Sequence, residues 1–471
     1  MIKAPHCQYL FALFCNKKQL FGHIYIKLTK FATLKSYHMH MKASYHTLGC
    51  KLNFAETATI AGMLLKKGIY KAGDGEKPDI CIVNTCSVTE TADKKARSLI
   101  RRLAASNPQA AIIVTGCYAQ LKPYEISELP GVRLVLGTNE KLLLPEYIEK
   151  WLKDKESSVT TSSTITRDRF MPSCEKGDRT RYFLKVQDGC DYFCTYCTIP
   201  YARGRSRSGR IADLIDLARD VAKKGGKEIV ITGVNIGTFG NDTGEDFLSL
   251  LKALDDIREL DRFRISSIEP NLLTDSILKW IATESRAFMP HFHIPLQSGS
   301  DKVLRLMNRR YDTSLFKSRI DMIHSLIKDA YIGVDIIVGA RGETDQEWMK
   351  SLEFASSLDV AKFHVFPYSE RPGTKALLLG DVVAPAERRR RAEKLISLSD
   401  SKNIDFIKRN IGKQRPVLWE KSYCGNLMHG LTDNYIRVEA PLNKNMINRI
   451  SAVILESVKE KSSDTAIASH I

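Results

Sequence analysis

A chain of 471 residues that is 43% hydrophobic holds more apolar material than one core needs, and about two to four domains are expected. A formal net charge of +17 points to a polyanionic partner, most often nucleic acid, through neutralised phosphates and released counterions. Eleven cysteines in so long a chain exclude a small secreted disulfide scaffold and fit a reducing cytoplasm, and no run of about 18 apolar residues is present to form a membrane-spanning helix.

The first forty residues hold a short apolar run, 9–15, followed by lysines and no small-residue cleavage site, so they do not read as a signal peptide. Met39 and Met41 stand just before the first strand, and 1–40 is expected to be an extension or a mis-called start. Across 41–154, strands at 43–48, 79–84, 110–115 and 132–136 alternate with amphipathic helices at 53–67, 92–105 and 141–153. That βαβα rhythm predicts a parallel sheet covered by helices. Residues 155–178, rich in Ser, Thr and charge, are expected to be a linker.

The segment 179–410 repeats the rhythm with strands at 182–186, 228–232, 263–268, 291–296, 333–338 and 362–366. Six such units predict a partial (β/α)6 barrel, an α/β fold whose active site lies at the carboxyl ends of the strands. A basic helical connection, 386–408, leads to 411–460, where short alternating runs such as 416–420 and 435–439 predict a small β-barrel. Residues 461–471 are expected to be a tail. Two stretches, 94–102 and 388–391, are densely basic.

Cys190, Cys194 and Cys197 spell C-x3-C-x2-C directly after a strand. Three thiolates on one loop hold three corners of a [4Fe–4S] cluster and leave the fourth iron open to a non-protein ligand. Zinc normally takes four protein ligands, and no further Cys or His stands nearby at ligand spacing, so the ligand arithmetic favours the cluster. Tyr196, just before the last cysteine, would shield one face. Cys50, Cys86 and Cys117 are scattered, yet each lies one to three residues past the end of a predicted strand. In a parallel sheet those ends share one edge, which predicts a second three-cysteine cluster. Gly49 and Gly116 beside them allow close backbone approach. Cys81, inside a strand, reads as core.

These motifs resemble those of the radical S-adenosylmethionine methylthiotransferases. The resemblance rests on Thr47-Leu48-Gly49-Cys50-Lys51-Leu52-Asn53 with Glu56-Thr57, on Asn84-Thr85-Cys86, on Gly116-Cys117-Tyr118-Ala119-Gln120 and on the loop from Cys190 to Gly204. It continues through Thr232-Gly233-Val234-Asn235-Ile236-Gly237, Ser267-Ile268-Glu269-Pro270, His293-Ile294-Pro295-Leu296-Gln297-Ser298-Gly299 and Phe366-Pro367-Tyr368-Ser369, covering nearly all of 43–455. The Thr-Leu-Gly-Cys-Lys opening is similar to the branch acting on threonylcarbamoyladenosine in tRNA. One departure is Gly339-Ala340-Arg341-Gly342-Glu343-Thr344, where the family has Gly-Phe-Pro-Gly-Glu-Thr; losing the proline is expected to loosen that turn.

The resemblance implies two [4Fe–4S] clusters and S-adenosylmethionine as cofactors, the Cys190 cluster chelating S-adenosylmethionine and the Cys50 cluster supplying sulfur. It implies addition of a methylthio group to C2 of the adenosine at tRNA position 37, with an external reductant such as flavodoxin or ferredoxin and a sulfur source the sequence leaves open. Gly233, Asn235 and Glu269 are candidates to position the cofactor, Glu269 through ribose hydroxyls or else as a helix N-terminal carboxylate. His293 and Gln297 are candidates to line the pocket, with a satisfied core histidine as the alternative for His293. Arg203, Arg205 and Arg341 are candidate cations for the substrate carboxylate. The C-terminal segment resembles the appended RNA-binding module, an OB-like barrel, in which Arg415, Lys421, Tyr423, Tyr435 and Arg437 would meet RNA or else form a solvated face. Competing readings are methylthiolation of isopentenyladenosine in tRNA or of a ribosomal protein, and an iron–sulfur RNA-binding or electron-transfer protein without catalysis.

Overall fold

β-branched runs that end in small residues form the strands. In the computed structural model, which describes residues 41–164, 170–175, 180–460, 462 and 464–470, six of them make an all-parallel sheet. The extension 1–40 lies outside the described residues, as do the side chains of 175, 421–424 and 470. The strands are β1 (Lys42–Thr47), β2 (Tyr70–Lys71), β3 (Ile80–Thr85), β4 (Ala111–Gly116), β5 (Val132–Leu136) and β6 (Ser158–Thr160), in the order 2-1-3-4-5-6. β3 and β4 are buried at every position, as strands covered on both faces must be. Helix α1 (Lys51–Lys66) follows β1, α2 (Glu90–Ser106) follows β3 and the short α3 (Cys117–Leu121) follows β4. Thr89 caps α2 by accepting from the Ala92 amide. Because β1, β3 and β4 are neighbours, the three segments carrying Cys50, Cys86 and Cys117 leave the sheet side by side.

The expected linker is in part sheet. Its β6 pairs with β5 at the edge of the N-terminal sheet, and β7 (Ser173–Glu175) runs antiparallel to the first strand of the next domain. That domain has β8 (Tyr182–Lys185), a two-residue ladder of β9 (Gln187–Asp188) with β10 (Arg207–Ser208), then β11 (Glu228–Thr232) and β12 (Arg262–Ile265). The ladder closes the base of the cysteine loop, which contains the short helix α4 (Ile199–Arg203). β13 (His291–Gln297), β14 (Tyr331–Val338) and β15 (Lys362–Pro367) form a second parallel set. Bridges between Phe263 and Phe288 and between Ser267 and His293 join the two sets into an open six-stranded arc, as the sequence predicted. On β8 and β11 the large apolar core takes Leu184, Ile229 and Ile231, whereas Phe183 and Val230 face the other way and pack on Ala55 of α1. The N-terminal domain therefore docks its first helix against the inner face of the arc.

The long helix α5 (Pro385–Lys408) leads to a closed barrel of β16 (Gln414–Cys424), β17 (Leu427–Thr432), β18 (Arg437–Pro441), β19 (Ile450–Val458) and β20 (Thr465–His470), in the order 16-17-18-20-19. The expected tail 461–471 is corrected here, because β20 pairs with both β18 and β19 and closes the barrel. Trp419, Val417, Met428, Val438 and Val453 fill its core. The barrel sits at the amino ends of the central strands. Arg262 and Arg264 of β12 donate to the carbonyls of Leu431, Pro416, Asp433 and Thr432, which satisfies barrel backbone groups that would otherwise be buried unpaired.

Two residues expected to touch RNA are corrected by this docking. Arg415 pairs with Asp329 at 2.6 Å and Asp433 at 3.2 Å. Tyr435 lies 4.0 Å from the His291 ring, centroid to centroid, and beneath the Arg264 guanidinium at 5.0 Å. Burial would raise the Tyr435 phenol, but Lys51, Arg181 and Arg264 outweigh it and hold the group below its ordinary value. Both side chains join domains rather than face solvent. Arg437 is exposed; the side chains of Lys421 and Tyr423 lie outside the described residues.

Candidate active site: two thiol triads and a cavity

The opening motif builds the first triad. Asn53, one turn into α1, donates to the carbonyls of Leu48 at 2.8 Å and Thr85 at 3.1 Å, so one side chain ties together the segments that carry Cys50 and Cys86. Thr57 accepts from Asn84 at 3.0 Å. Gly49 has φ +100°, and a Cβ there would fall 2.4 Å from Cβ of Cys86; Gly116 has φ +101°, with its Cβ position 2.4 Å from the Thr85 carbonyl oxygen. Only glycine permits both the dihedral and the approach. Burial pushes the Cys86 thiol up to about 12, with Cys117 and Cys50 adding to the rise.

Beside this triad lies a buried charge network. Glu56 accepts from Lys141, Lys185 at 2.8 Å and Arg203 at 3.1 Å, while Asp188 accepts from Lys185 at 2.8 Å, Arg203 at 2.9 Å and Arg207 at 2.8 Å. Among the described residues, four cations thus gather around these two buried carboxylates. For the Cys117 thiol burial dominates and raises its value, but Arg203 and Lys141 act in the opposite direction. Arg203 lines the cavity, yet it is 2% exposed and pairs with Glu56, Asp188 and Asn53. Nothing in the motif spacing pointed to Lys141, Lys185 or Asp188; docking α1 against β8 brings Glu56 to Lys185 and Arg203.

The second triad sits on the loop between β9 and β10. The Tyr192 amide points at Sγ of Cys190 and the Ile199 amide at Sγ of Cys197, each at 3.4 Å. Arg309 Nη1 donates to Sγ of Cys194 at 3.1 Å and lies 3.4 Å from the Tyr196 hydroxyl. Burial raises Cys190 to about 11, and burial followed by Cys194 raises Cys197 to about 12. Glu269 pairs with Arg309 through Nη2, so it anchors the guanidinium that reaches the thiol. Sequence reasoning missed Arg309, which follows a helix after β13 and belongs to no recognised motif.

The first triad meets a cavity of about 650 Å3, lined by Cys50, Cys86 and Cys117 on one side and by Tyr196 of the second triad's loop, Gly233 and Gln297 on the other. Gln297 holds φ +66° at a register shift in β13, a strained backbone of the kind found at functional sites. Asn235 has its Nδ2 3.9 Å from Sγ of Cys190, and its Oδ1 is buried without a partner. Such an acceptor beside the cysteine loop fits a bound amino or hydroxyl group. His293 does not line the cavity; it bonds Asp335 at 2.8 Å, and Asp335 does line it. The alternative reading of His293 as a satisfied core histidine is the one the geometry supports. Arg341 pairs with Glu370 at 2.9 Å and donates to the carbonyls of Leu377 and Leu379, so it is not a free cation, and it braces the turn that lacks proline. Arg205 stays exposed, over the Phe193 ring.

Among the described residues no three Cys, His, Asp or Glu side chains are set closely enough to grip a single ion. Grouped thiols beside buried cations at the first triad, and amide and guanidinium donors aimed at sulfur at the second, fit an anionic polynuclear cluster instead.

Two family models match the chain: the radical SAM superfamily over residues 184–355 and "uncharacterized protein family UPF0004" over 42–137. The threonylcarbamoyladenosine tRNA methylthiotransferase MtaB of Bacillus subtilis is 37% identical over 420 residues, 87% of this chain and 92% of that one. The chain belongs to the radical S-adenosylmethionine tRNA methylthiotransferases. Another member, the tRNA-2-methylthio-N(6)-dimethylallyladenosine synthase of Pelotomaculum thermopropionicum, is 33% identical over 79% of this chain and 85% of its own length. The fold also resembles that of the radical S-adenosylmethionine methyltransferase TsrM from Kitasatospora setae, with a TM-score of 0.53 and 12% identity, covering 83% of this chain and 77% of that one. Membership in the family makes iron–sulfur clusters and S-adenosylmethionine its cofactors. No helix among the described residues is long and apolar enough to cross a membrane.

Proposed function

We propose that this enzyme adds a methylthio group to C2 of N6-threonylcarbamoyladenosine at position 37 of tRNA. The observation that carries the reading is one cavity walled by Cys50, Cys86 and Cys117 and by Tyr196 of the Cys190–Cys197 loop, since sulfur supply and C–H activation must act on the same atom. Cys190, Cys194 and Cys197 hold the cluster that takes S-adenosylmethionine, and Cys50, Cys86 and Cys117 hold the cluster that carries sulfur. When bound, these groups supply a carbon radical strong enough to activate an aromatic C–H and the sulfur that replaces the hydrogen.

The chain's own residues position and screen. Arg309 neutralises charge at Cys194 and is itself fixed by Glu269, while Asn235 offers its unpartnered oxygen beside Cys190. Tyr196 and Gln297 wall the cavity.

The threonylcarbamoyl group carries a carboxylate, and Lys51 supports the choice of that substrate. It follows Cys50 in the opening motif, and its electrostatic neighbours are Tyr435, Arg181, Arg264 and the cavity residue Asp335. Burial, more than those neighbours, lowers its ammonium below the ordinary lysine value, and among the described residues no hydrogen bond or ion pair holds it. A charge-assisted bond from Lys51 to the substrate discriminates against an uncharged isopentenyl group.

A low-potential electron donor of the flavodoxin or ferredoxin class and a cytoplasmic setting belong to the same reading. The test is nucleoside mass spectrometry of tRNA from a deletion strain, followed by competition between threonylcarbamoyl- and isopentenyl-modified tRNA. Loss of the methylthio-threonylcarbamoyl nucleoside alone is expected; preferential conversion of the isopentenyl substrate would move the enzyme to the branch of the Pelotomaculum relative.

A further inference from the structure

The two basic stretches seen in the sequence take no part in the site described so far. One is the exposed flank of α2 and the other the start of α5, and they face each other across a cleft of about 680 Å3. The cleft shares Thr89, Phe366, Pro367, Tyr368 and Ser369 with the catalytic cavity, so it is the cavity's outer vestibule. Its carboxylates are already neutralised: Glu90 pairs with Arg97 at 3.0 Å and Arg371 at 3.5 Å, and Glu370 with Arg341 at 2.9 Å and Arg388 at 3.4 Å. Lys94 on one wall and Arg389 on the other are exposed and, among the described residues, pair with no carboxylate. Lys95, Arg101 and Arg102 continue the exposed charge along α2, opposite the buried positions Asp93, Ala96, Ile100 and Leu103. Phe366, 46% exposed, stands where vestibule and cavity meet.

We propose that α2 and the start of α5 form the RNA-docking face of this enzyme, with the RNA backbone crossing the vestibule between Lys94 and Arg389 and Phe366 stacking on a base at the cavity mouth. This rests on the tRNA reading above. A base enters the cavity only if its own phosphates pass the vestibule, and uncommitted cations on both walls complement them. An exposed aromatic at that place suits an unstacked loop base. On the barrel, Arg415 and Tyr435 are spent on domain docking, while Arg437 is exposed.

The test uses the cluster-loaded full chain and labelled tRNA bearing threonylcarbamoyladenosine, with affinity measured at several salt concentrations. Lys94→Glu with Arg389→Glu is expected to weaken binding at least about tenfold and to flatten the slope of log affinity against log salt by about 1.5, given roughly 0.7 to 0.9 per phosphate contact. Lys94→Gln with Arg389→Gln should flatten the slope similarly with a smaller loss of affinity. Iron content and melting midpoint, unchanged in both variants, exclude misfolding. If the unaltered enzyme binds and converts the tRNA while the reversal leaves affinity and slope intact, the face is wrong and the function stands. If the unaltered enzyme binds no tRNA, the functional reading fails and this inference with it. A reversal that slows reduction by flavodoxin but not RNA binding would assign the face to an acidic electron donor and overturn the proposal.

Discussion

Lys51 leaves the N-terminal domain beside Cys50, and charged groups of the central arc and the C-terminal barrel, Arg181, Arg264, Asp335 and Tyr435, are its electrostatic neighbours. Lys51→Gln is expected to lower kcat/KM for threonylcarbamoyl-modified tRNA by about tenfold to a hundredfold, the value of one charge-assisted bond, and to narrow the preference over the isopentenyl substrate. Full iron content in the variant would separate this effect from damage to the neighbouring Cys50. Arg309 is the second residue on which function turns. Arg309→Lys keeps a charge but loses the fork that reaches Cys194, Tyr196 and Glu269 together, so S-adenosylmethionine cleavage should fall while sulfur loading of the other triad is spared. Unchanged cleavage would show that the guanidinium is only structural. At Gly116 the constraint is backbone geometry. Gly116→Ala places a methyl 2.4 Å from the Thr85 carbonyl at φ +101° and is expected to halve the iron content by breaking the first triad alone.

Among the elements, α1 depends most on charge pairing. Its Glu56 is buried among Lys141, Lys185 and Arg203, which hold the carboxyl well below the usual carboxylate range against the opposing effect of burial. Glu56→Gln keeps the shape and removes the counter-charge, so the metal-free protein should lose about 3 kcal/mol or more, the usual cost of an unpaired buried charge, measured by urea unfolding. A neutral outcome would mean that water reaches the network. The cysteine segments carry the opposite dependence on pH. Cys86, Cys190 and Cys197 have folded values of about 11 to 12 against an ordinary 9.0, so the folded state favours their neutral thiols. Their stabilisation is complete below pH 9 and is lost as pH rises toward 12, because only the unfolded chain ionises freely in that window. The unfolding midpoint of the metal-free protein should therefore be lower at pH 10 than at pH 8; a higher midpoint at pH 10 would contradict the burial of the triads.

At the scale of the whole molecule, catalysis is a property of docking. The first triad is not enclosed by its own domain alone: the cavity it lines is walled also by Tyr196, Gly233 and Gln297 of the central arc. The barrel is fixed to the far end of the same arc by Arg262 and Arg264, whose guanidinium groups reach its carbonyls. A chain ending at residue 410 strips those partners from Arg262 and Arg264 and leaves Glu228 as their remaining buried counter-charge. Such a chain should melt at lower temperature than the full enzyme, yet retain eight irons if both triads fold without the barrel, taking four irons per cluster as about the expected loading. Loss of iron along with the barrel would show that the far end of the arc supports the site.

Much of the plan was legible in local sequence. Strand runs, their spacing and the cysteines at strand ends predicted both α/β units and both triads, because backbone periodicity and glycine at tight approaches are local constraints. The strands β6 and β20 were not legible: β6 has three residues and gains its place by pairing with β5, and β20 gains its place by closing the barrel between β18 and β19, so 155–178 and 461–471 looked irregular. The cations were misjudged for a related reason. Arg203, Arg341 and Arg415 look like free charges in sequence, but each meets carboxylates brought from other segments, while Lys51, Lys94 and Arg389 stay unpaired because no carboxylate folds against them among the described residues. The sequence alone determined which residue types could hold the clusters, since thiol chemistry and turn geometry travel with the residue. Tertiary structure alone decided which charges remain available to a substrate, since a charge is free or spent according to what is packed against it.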